Sequence, residues 1–158
     1  EPFDIIHCLE DGVRSYRRVL AEKQQTVQLD IANELREKQR PIQGDYGRIL
    51  QTIKILLDNA NKYAPKGSTI LLAAAPIPAG LEIRLSNVLA QPIAETAPLL
   101  QSFRRGHGVS ETGGTGLGLA IAEQVIRRLL QVGCLAILLG GFQFFRFSLS
   151  NCKSHPAR

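Results

Sequence analysis

The sequence predicts a two-layer α/β sandwich, with strands gathered on one side and helices on the other. Two kinds of segment support this expectation. Some carry apolar residues at helical spacing, and shorter ones alternate apolar with polar residues. Clusters of Pro and Gly separate the segments, as turns between elements require. A length of 158 residues suits one domain with a substantial core.

The helices are indicated by apolar residues that recur every three or four positions. In the first segment, Ile6, Leu9 and Val13 share one face. The second segment is stopped by Pro65-Lys66-Gly67, because proline and glycine do not continue a helix. Helices are expected over Phe3–Lys23, over about Tyr46–Ala64, around Ala97–Phe103, and from a glycine-rich segment to about Leu130.

The strands are indicated by alternation. Val27, Leu29 and Ile31 alternate with polar neighbours in the first one. Strands are expected over Thr26–Ala32, Pro41–Gly44, Thr69–Ala75, Leu81–Asn87, Cys134–Leu139 and Phe142–Leu149. The last two should form a hairpin around Gly140-Gly141. Residues 151–158 are expected to form a disordered tail.

The segment Gly113–Ile121 is the most informative stretch of the chain. It places four glycines in six positions and then continues into an apolar, helix-forming pattern. A helix that begins inside such a loop presents unpaired backbone N–H groups and the positive end of its dipole. That arrangement favours a bound phosphate. An ordinary turn is the alternative for the loop taken alone.

The segment Ile49–Tyr63 supplies a second candidate site. Its apolar stripe is a core face, whereas Asn59 and Lys62 lie on another face with Tyr63 at its edge. An amide oxygen suits a magnesium ion that keeps most of its waters. Lys62 can neutralise phosphate charge, and Tyr63 can lie against a purine. A solvated helix face is the alternative.

Together these segments resemble the ATP-binding catalytic domain of sensor histidine kinases. Asp58–Gly67 is similar to the N box of that family, Leu100–Gly106 to its F box, and Gly114–Ile121 to its second glycine box. Their order and spacing match, and the resemblance covers roughly residues 2–150. It implies a domain over residues 1–150, with a mixed sheet of about five strands covered on one face by three helices.

The resemblance also implies ATP and Mg²⁺ as ligands and suggests roles for individual residues. Asn59 would hold the metal, Lys62 would contact the phosphates, and Tyr63 and Asn87 would contact the adenine. Backbone groups of the second glycine box would cradle the phosphates: Gly114, Thr115, Gly116, Leu117, Gly118 and Leu119. Arg104 and Arg105 could reach a phosphate, although a solvated surface pair is equally compatible with the sequence.

Two positions depart from the family pattern. Asn87 stands where the family has an aspartate that accepts a hydrogen bond from the adenine amino group, and the glycines that normally follow are missing. An amide oxygen can accept the same bond without charge assistance, or Asn87 is an ordinary strand end.

Ile55 replaces a polar residue and cannot act as a general base, so phosphoryl transfer is favoured over hydrolysis. The rival interpretation is a degenerate domain that serves as a scaffold or regulatory partner.

The remaining expectations concern partners. His7, His107 and His155 lack the acidic follower of a phosphoacceptor histidine. The acceptor is therefore expected on a helical hairpin of the same full-length protein, with a response regulator downstream. The resemblance and three cysteines without metal-like spacing point to the cytoplasm, compatible with a membrane-anchored, dimeric full-length protein. A net charge of +5, carried by scattered residues, does not indicate nucleic acid. A serine kinase of an anti-sigma-type partner is disfavoured by the Lys62-Tyr63 pair and the F box.

Overall fold

The computed structural model describes residues 1–38, 41–78, 80–90, 97–98, 122–128, 134–139 and 141–150. In chain order the elements are β1 Pro2–Phe3, α1 Ile5–Glu22, β2 Thr26–Ile31, α2 Asn33–Lys38, β3 Ile42–Gln43, α3 Tyr46–Tyr63, β4 Thr69–Ile77, β5 Gly80–Val88, β6 Ala97–Pro98, β7 Cys134–Leu139 and β8 Phe142–Ser150. Residues 122–128 are also helical.

The main sheet is mixed and, within the described residues, has six strands in the order β2-β4-β5-β8-β7-β6. Strands β2 and β4 pair in parallel, and the other neighbouring strands pair antiparallel. About five strands were expected, and five of the strand segments predicted from the sequence lie in this sheet as β2, β4, β5, β7 and β8, whereas β6 was not predicted. The hairpin of β7 and β8 is also confirmed, with Leu139 opposite Phe142.

One face of the sheet is covered and the other faces solvent. On β5 and β8 the alternate residues Ile83, Leu85, Phe145 and Phe147 are buried in the core. Residues of the opposite parity on these two strands are exposed, such as Arg84, or partly exposed, such as Ser86. Because α1 and α3 bring their own apolar stripes to the same core, the two-layer α/β arrangement is confirmed.

The packing of α1 against α3 depends on a glycine. A Cβ atom added to Gly12 would lie 2.6 Å from the Cγ2 atom of Ile53, which is inside van der Waals contact. The lack of a side chain at Gly12 therefore lets the two helices approach closely. Among the described residues, no helix is both long and apolar enough to cross a membrane.

The strand expected around Pro41–Gly44 exists but lies outside the main sheet. It is β3, which pairs antiparallel with β1 and places Phe3 opposite Ile42. The ring of Phe3 then meets Tyr46 edge-on, with centroids 5.5 Å apart. This small sheet joins the beginning of α1 to the beginning of α3.

Three details differ from the sequence expectation. The helix expected from Phe3 begins at Ile5, because Pro2 and Phe3 form the strand β1. Helix α2 was not predicted, because six residues are too few to show a helical period. The prediction of a helix starting at Ala97 was wrong for its first two residues, since Ala97 and Pro98 pair with Leu138 and Ile137 of β7. Proline is tolerated at the edge of a sheet, and the availability of that edge is a tertiary property. Residues 99–103 of the expected helix and the expected tail 151–158 lie outside the described residues.

Candidate functional site

Helix α3 positions most of the predicted site residues that the structure describes. Asp45 caps its N-terminus, where the carboxylate accepts a hydrogen bond of 3.1 Å from the Arg48 backbone N–H. The helix ends at Tyr63, and the C-cap residue Ala64 has an extended backbone. The apolar stripe of the helix is buried: Ile49, Ile53, Leu56, Leu57 and Ala60. Burial of this stripe fixes the rotation of the helix and therefore the direction of its polar residues.

Asn59 is a buried polar residue without a complete set of partners. Its side chain is 6% exposed, and its Oδ1 atom accepts no hydrogen bond within the described part of the chain. A buried acceptor without a hydrogen-bond donor costs folding free energy, so such an atom is a candidate for contact with a ligand. A neutral amide oxygen is a ligand of the type that Mg²⁺ takes. Asn59 therefore fits the metal-binding role that the sequence suggests.

Lys62 lies one turn after Asp58 on the exposed side of α3. Its ammonium nitrogen is 3.1 Å from Oδ2 of Asp58, and its side chain is 62% exposed. An exposed ion pair of this kind is weak, because water screens both charges. The lysine can therefore exchange the carboxylate for a phosphate at little cost.

Tyr63 ends α3 and joins it to the end of β5. Its side chain is partly buried against the core. Its backbone carbonyl accepts a hydrogen bond of 2.9 Å from the Ala90 N–H, just beyond β5. This bond brings the C-terminal turn of α3 to the end of the strand that carries Asn87.

Asn87 is buried, and both polar ends of its side chain are engaged within the protein. Its Nδ2 atom donates to the Val88 carbonyl at 2.8 Å. Its Oδ1 atom accepts from Nε2 of Gln143 at 2.9 Å. The oxygen that the sequence assigned to the adenine amino group therefore already has a donor.

Gln143 was missed by the sequence analysis. It is fully buried on β8, and its Oε1 atom accepts no hydrogen bond from the described residues. The signal was present in the sequence, because Gln143 has the same parity as the buried Phe145, Phe147 and Leu149. A single amide at an inward-facing strand position is a candidate for a polar contact.

The C-terminal turn of α3 is held by side chains from the α1–β2 connection. The buried Gln25 donates from Nε2 to the Ala64 carbonyl at 2.9 Å, and its Oε1 atom accepts from the Asn61 side chain at 2.9 Å. Lys23 adds a hydrogen bond of 2.7 Å to the Asn61 carbonyl. These bonds satisfy carbonyls that a helix end leaves free, and they fix the turn that carries Lys62 and Tyr63.

Several predicted site residues cannot be placed. The segment of the F box and the second glycine box lies outside the described residues. It includes Arg104, Arg105, Gly114, Thr115, Gly116, Leu117, Gly118 and Leu119. Of the predicted site residues that the structure describes, Asn59, Lys62 and Tyr63 lie in the last two turns of α3, and Asn87 lies near the end of β5.

Ile55 lies one turn before Asn59 and packs partly buried against the core. It offers no group that could take a proton from water. The described part of α3 therefore provides an amide and an amine for a charged ligand, without a general base at this position.

Comparison with known proteins assigns a family to this arrangement. Residues 44–152 match the profile of the histidine kinase-, DNA gyrase B- and HSP90-like ATPases. The match spans more than half of the chain and includes α3, β5 and β8. The chain belongs to this family of ATP-binding domains.

Similar proteins narrow the class to sensor histidine kinases. The chain is 32% identical to the sensor histidine kinase YkoH of Bacillus subtilis over 117 residues. This aligned region covers 73% of this chain and 26% of YkoH. It is 42% identical to the sensor histidine kinase Hik2 of Thermosynechococcus vestitus over 85 residues. Here the aligned region covers 51% of this chain and 22% of Hik2. The chain therefore spans about a quarter of these relatives.

Solved structures share the fold. The catalytic domain of histidine kinase ThkA superposes with a TM-score of 0.69 at 15% identity, covering 95% of each chain. Histidine kinase AdeS of Acinetobacter baumannii gives 0.66 at 20% identity, covering 95% of this chain and 66% of AdeS. ShkA, solved in complex with AMPPNP, gives 0.66 at 17% identity over 98% of this chain and 32% of its own. The chain thus has the fold of an ATP-binding catalytic domain of sensor histidine kinases.

Proposed function

We propose that this chain binds Mg-ATP and presents the γ-phosphate to a histidine on a helical hairpin of the same full-length protein. One observation carries the proposal: Asn59 holds a buried oxygen without a partner in the described part of the chain. It does so on α3, which lies within the residues that match the family profile. The AMPPNP bound to ShkA supports a nucleotide as the ligand of this fold.

The chain's own residues would divide the work of binding. Asn59 would offer its Oδ1 atom to Mg²⁺, which when bound would neutralise phosphate charge. Lys62 would leave Asp58 and contact the phosphates. Tyr63 and Asn87 would border the adenine. Backbone N–H groups of Gly114–Leu119 would cradle the phosphates, with Arg104 and Arg105 nearby.

The position of Ile55 favours transfer over hydrolysis. Phosphoryl transfer depends mainly on positioning and charge neutralisation, both of which the amide and the amine of α3 can supply. Residues 1–150 would form this domain, and residues 151–158 would form a tail. The full-length protein would be a dimer with its catalytic part in the cytoplasm. Its phosphorylated histidine would pass the phosphate to a response regulator.

Calorimetry on the purified chain tests the proposal. Mg-AMPPNP should bind with micromolar affinity, and Asn59→Ala should abolish the magnesium-dependent part of that binding without lowering the melting temperature. Asn33→Ala is the matched control, because it removes the same side chain from an exposed position on α2. Unchanged affinity in Asn59→Ala would remove the role assigned to this residue.

The same titration separates the kinase from the scaffold interpretation. If the unmodified chain binds no nucleotide into the millimolar range, with or without magnesium, the chain is not a functional ATP-binding domain. A scaffold role would then be indicated.

A further inference from the structure

Asn87 and Gln143 form a buried polar pair among the apolar side chains of β5 and β8. They are directly opposite each other in the antiparallel register of β5 and β8. Both side chains are buried, with Gln143 fully so. On the same strand faces, the preceding Leu85 and the following Phe145 belong to the core. Two amides at such positions are costly unless their polar atoms are satisfied.

The hydrogen bonds of this pair run in one direction. The Val88 carbonyl can only accept, so the Asn87 amide must turn its Nδ2 atom toward it, at 2.8 Å. Oδ1 of Asn87 then faces Gln143 and accepts from Nε2 at 2.9 Å. The chain of bonds ends at Oε1 of Gln143, which has no donor among the described residues. The free end of the pair is therefore an acceptor, and exchanging O and N in either amide would place two like groups together.

The pair lies at the end of the sheet that carries the nucleotide site proposed above. Ala90, three residues after Asn87, donates to the Tyr63 carbonyl at 2.9 Å. Gly141 lies two residues before Gln143, and its carbonyl accepts a hydrogen bond of 2.6 Å from the Leu89 N–H. Tyr63, the last residue of α3, is therefore joined to the end of β5 that carries the pair.

We propose that Gln143 determines the base specificity of this site, with its Oε1 atom accepting a hydrogen bond from the exocyclic amino group of adenine. Asn87 acts as a positioning residue, because its Oδ1 atom holds Nε2 of Gln143 and so leaves Oε1 as the free acceptor of the pair. The inference rests on the proposed function and moves the base contact from Asn87 to Gln143. A purine with a keto oxygen at the same position would meet an acceptor and be rejected.

Competition between two nucleotides tests this assignment. The unmodified chain should bind Mg-ATP more tightly than Mg-inosine triphosphate, which carries a keto oxygen in place of the amino group. Gln143→Met should weaken ATP binding about tenfold, the effect of losing one buried hydrogen bond. It should leave inosine triphosphate binding no weaker and stronger by whatever the repulsion between its keto oxygen and Oε1 costs, so that the preference disappears. Gln28→Met is the matched control, because it makes the same change at an exposed position of the edge strand β2.

The positioning role of Asn87 has its own readout. Asn87→Leu should erase the preference for ATP, because it removes the acceptor that holds Nε2 of Gln143. A preference for ATP retained in Asn87→Leu would contradict the positioning role.

The outcomes separate this inference from the proposed function. If the unmodified chain binds neither nucleotide, the proposed function fails. If it binds ATP but shows no preference, or if Gln143→Met keeps the preference, the Gln143 assignment is overturned while the function stands. Should Gln143→Met not fold, a crystal structure of the unmodified chain with AMPPNP decides. An adenine amino group bonded to Oε1 of Gln143 supports the assignment, and one bonded to Asn87 or to neither overturns it.

Discussion

Tyr16 on α1 donates a hydrogen bond of 3.0 Å to Oδ1 of Asp58 on α3. The other oxygen of that carboxylate lies 3.1 Å from the ammonium nitrogen of Lys62. Burial and the neighbouring Asp58 raise the pKa of Tyr16 to about 12, so the phenol remains a donor at neutral pH. The first helix thus orients the carboxylate that precedes Asn59 and pairs with Lys62.

Tyr16→Phe removes only the hydroxyl group and should lower the free energy of unfolding by about 1–2 kcal/mol, because a partly buried carboxylate loses a donor. Urea denaturation followed by circular dichroism measures the change. If stability is unchanged, the hydrogen bond between α1 and Asp58 does not contribute to the fold.

The Asp58–Lys62 pair should compete with a bound phosphate. Lys62→Met should weaken Mg-AMPPNP binding roughly tenfold, in the range of one charge-assisted contact. Asp58→Asn should strengthen binding, because it frees the lysine and removes a nearby negative charge. Calorimetry measures both constants, and Lys54→Met on the same helix is the matched control. Equal effects of Lys62→Met and Lys54→Met would show that Lys62 has no specific role.

The Gln25 cap should be important for stability. Gln25→Leu leaves the Ala64 carbonyl and the Asn61 amide without their shared partner, and both groups lie at a buried helix end. The expected loss is about 2–3 kcal/mol, which corresponds to buried groups left unpaired. Thermal or urea unfolding measures it, with Gln28→Leu on the exposed side of β2 as the control. A loss no larger than that of the control would contradict the cap.

The contact at Gly12 predicts an overpacking effect. Gly12→Ala brings a methyl group to 2.6 Å from Ile53, so the net effect should be a destabilisation of about 1–3 kcal/mol despite the better helix propensity of alanine. Gly47→Ala on α3 is the comparison, since a Cβ there meets only the movable Asp45 carboxylate, at 3.3 Å. Denaturant unfolding measures the free energy of unfolding of both variants. If Gly12→Ala is as stable as Gly47→Ala, the prediction is refuted.

The contact between Tyr46 and Asp11 should make stability depend on pH at both extremes. The hydrogen bond from Tyr46 lowers the pKa of Asp11 below 3.8, so its contribution is present above that pH and lost in more acidic solution. The same bond raises the pKa of Tyr46 from 10.0 to about 12, so its contribution is complete below pH 10 and lost as the pH rises toward 12.

Tyr46→Phe removes this contact and should flatten the stability profile at both ends. Urea midpoints measured across the pH range give the profile. If the variant keeps the same acid and alkaline dependence as the unmodified chain, other groups are responsible for it.

Much of the fold was predictable because its signals are local. Helix α3 was expected from an apolar stripe that repeats within one segment, and its limits agree to one residue with the structure. The strands β4, β5 and β8 were expected from alternation within each segment. Asn59 was chosen as a candidate for the same reason, because its position relative to the stripe depends only on the helical period, and its metal-binding role stays a prediction.

What the sequence by itself determined is therefore the order of elements, their buried faces and the family motifs that lie within single segments. Tertiary structure alone decided the rest, since it depends on which distant segments meet. Gln25 reaches Asn61 across 36 residues of chain, and Gln143 reaches Asn87 across 56 residues. Strand register and helix docking bring these side chains together, and no periodicity within one segment carries that information.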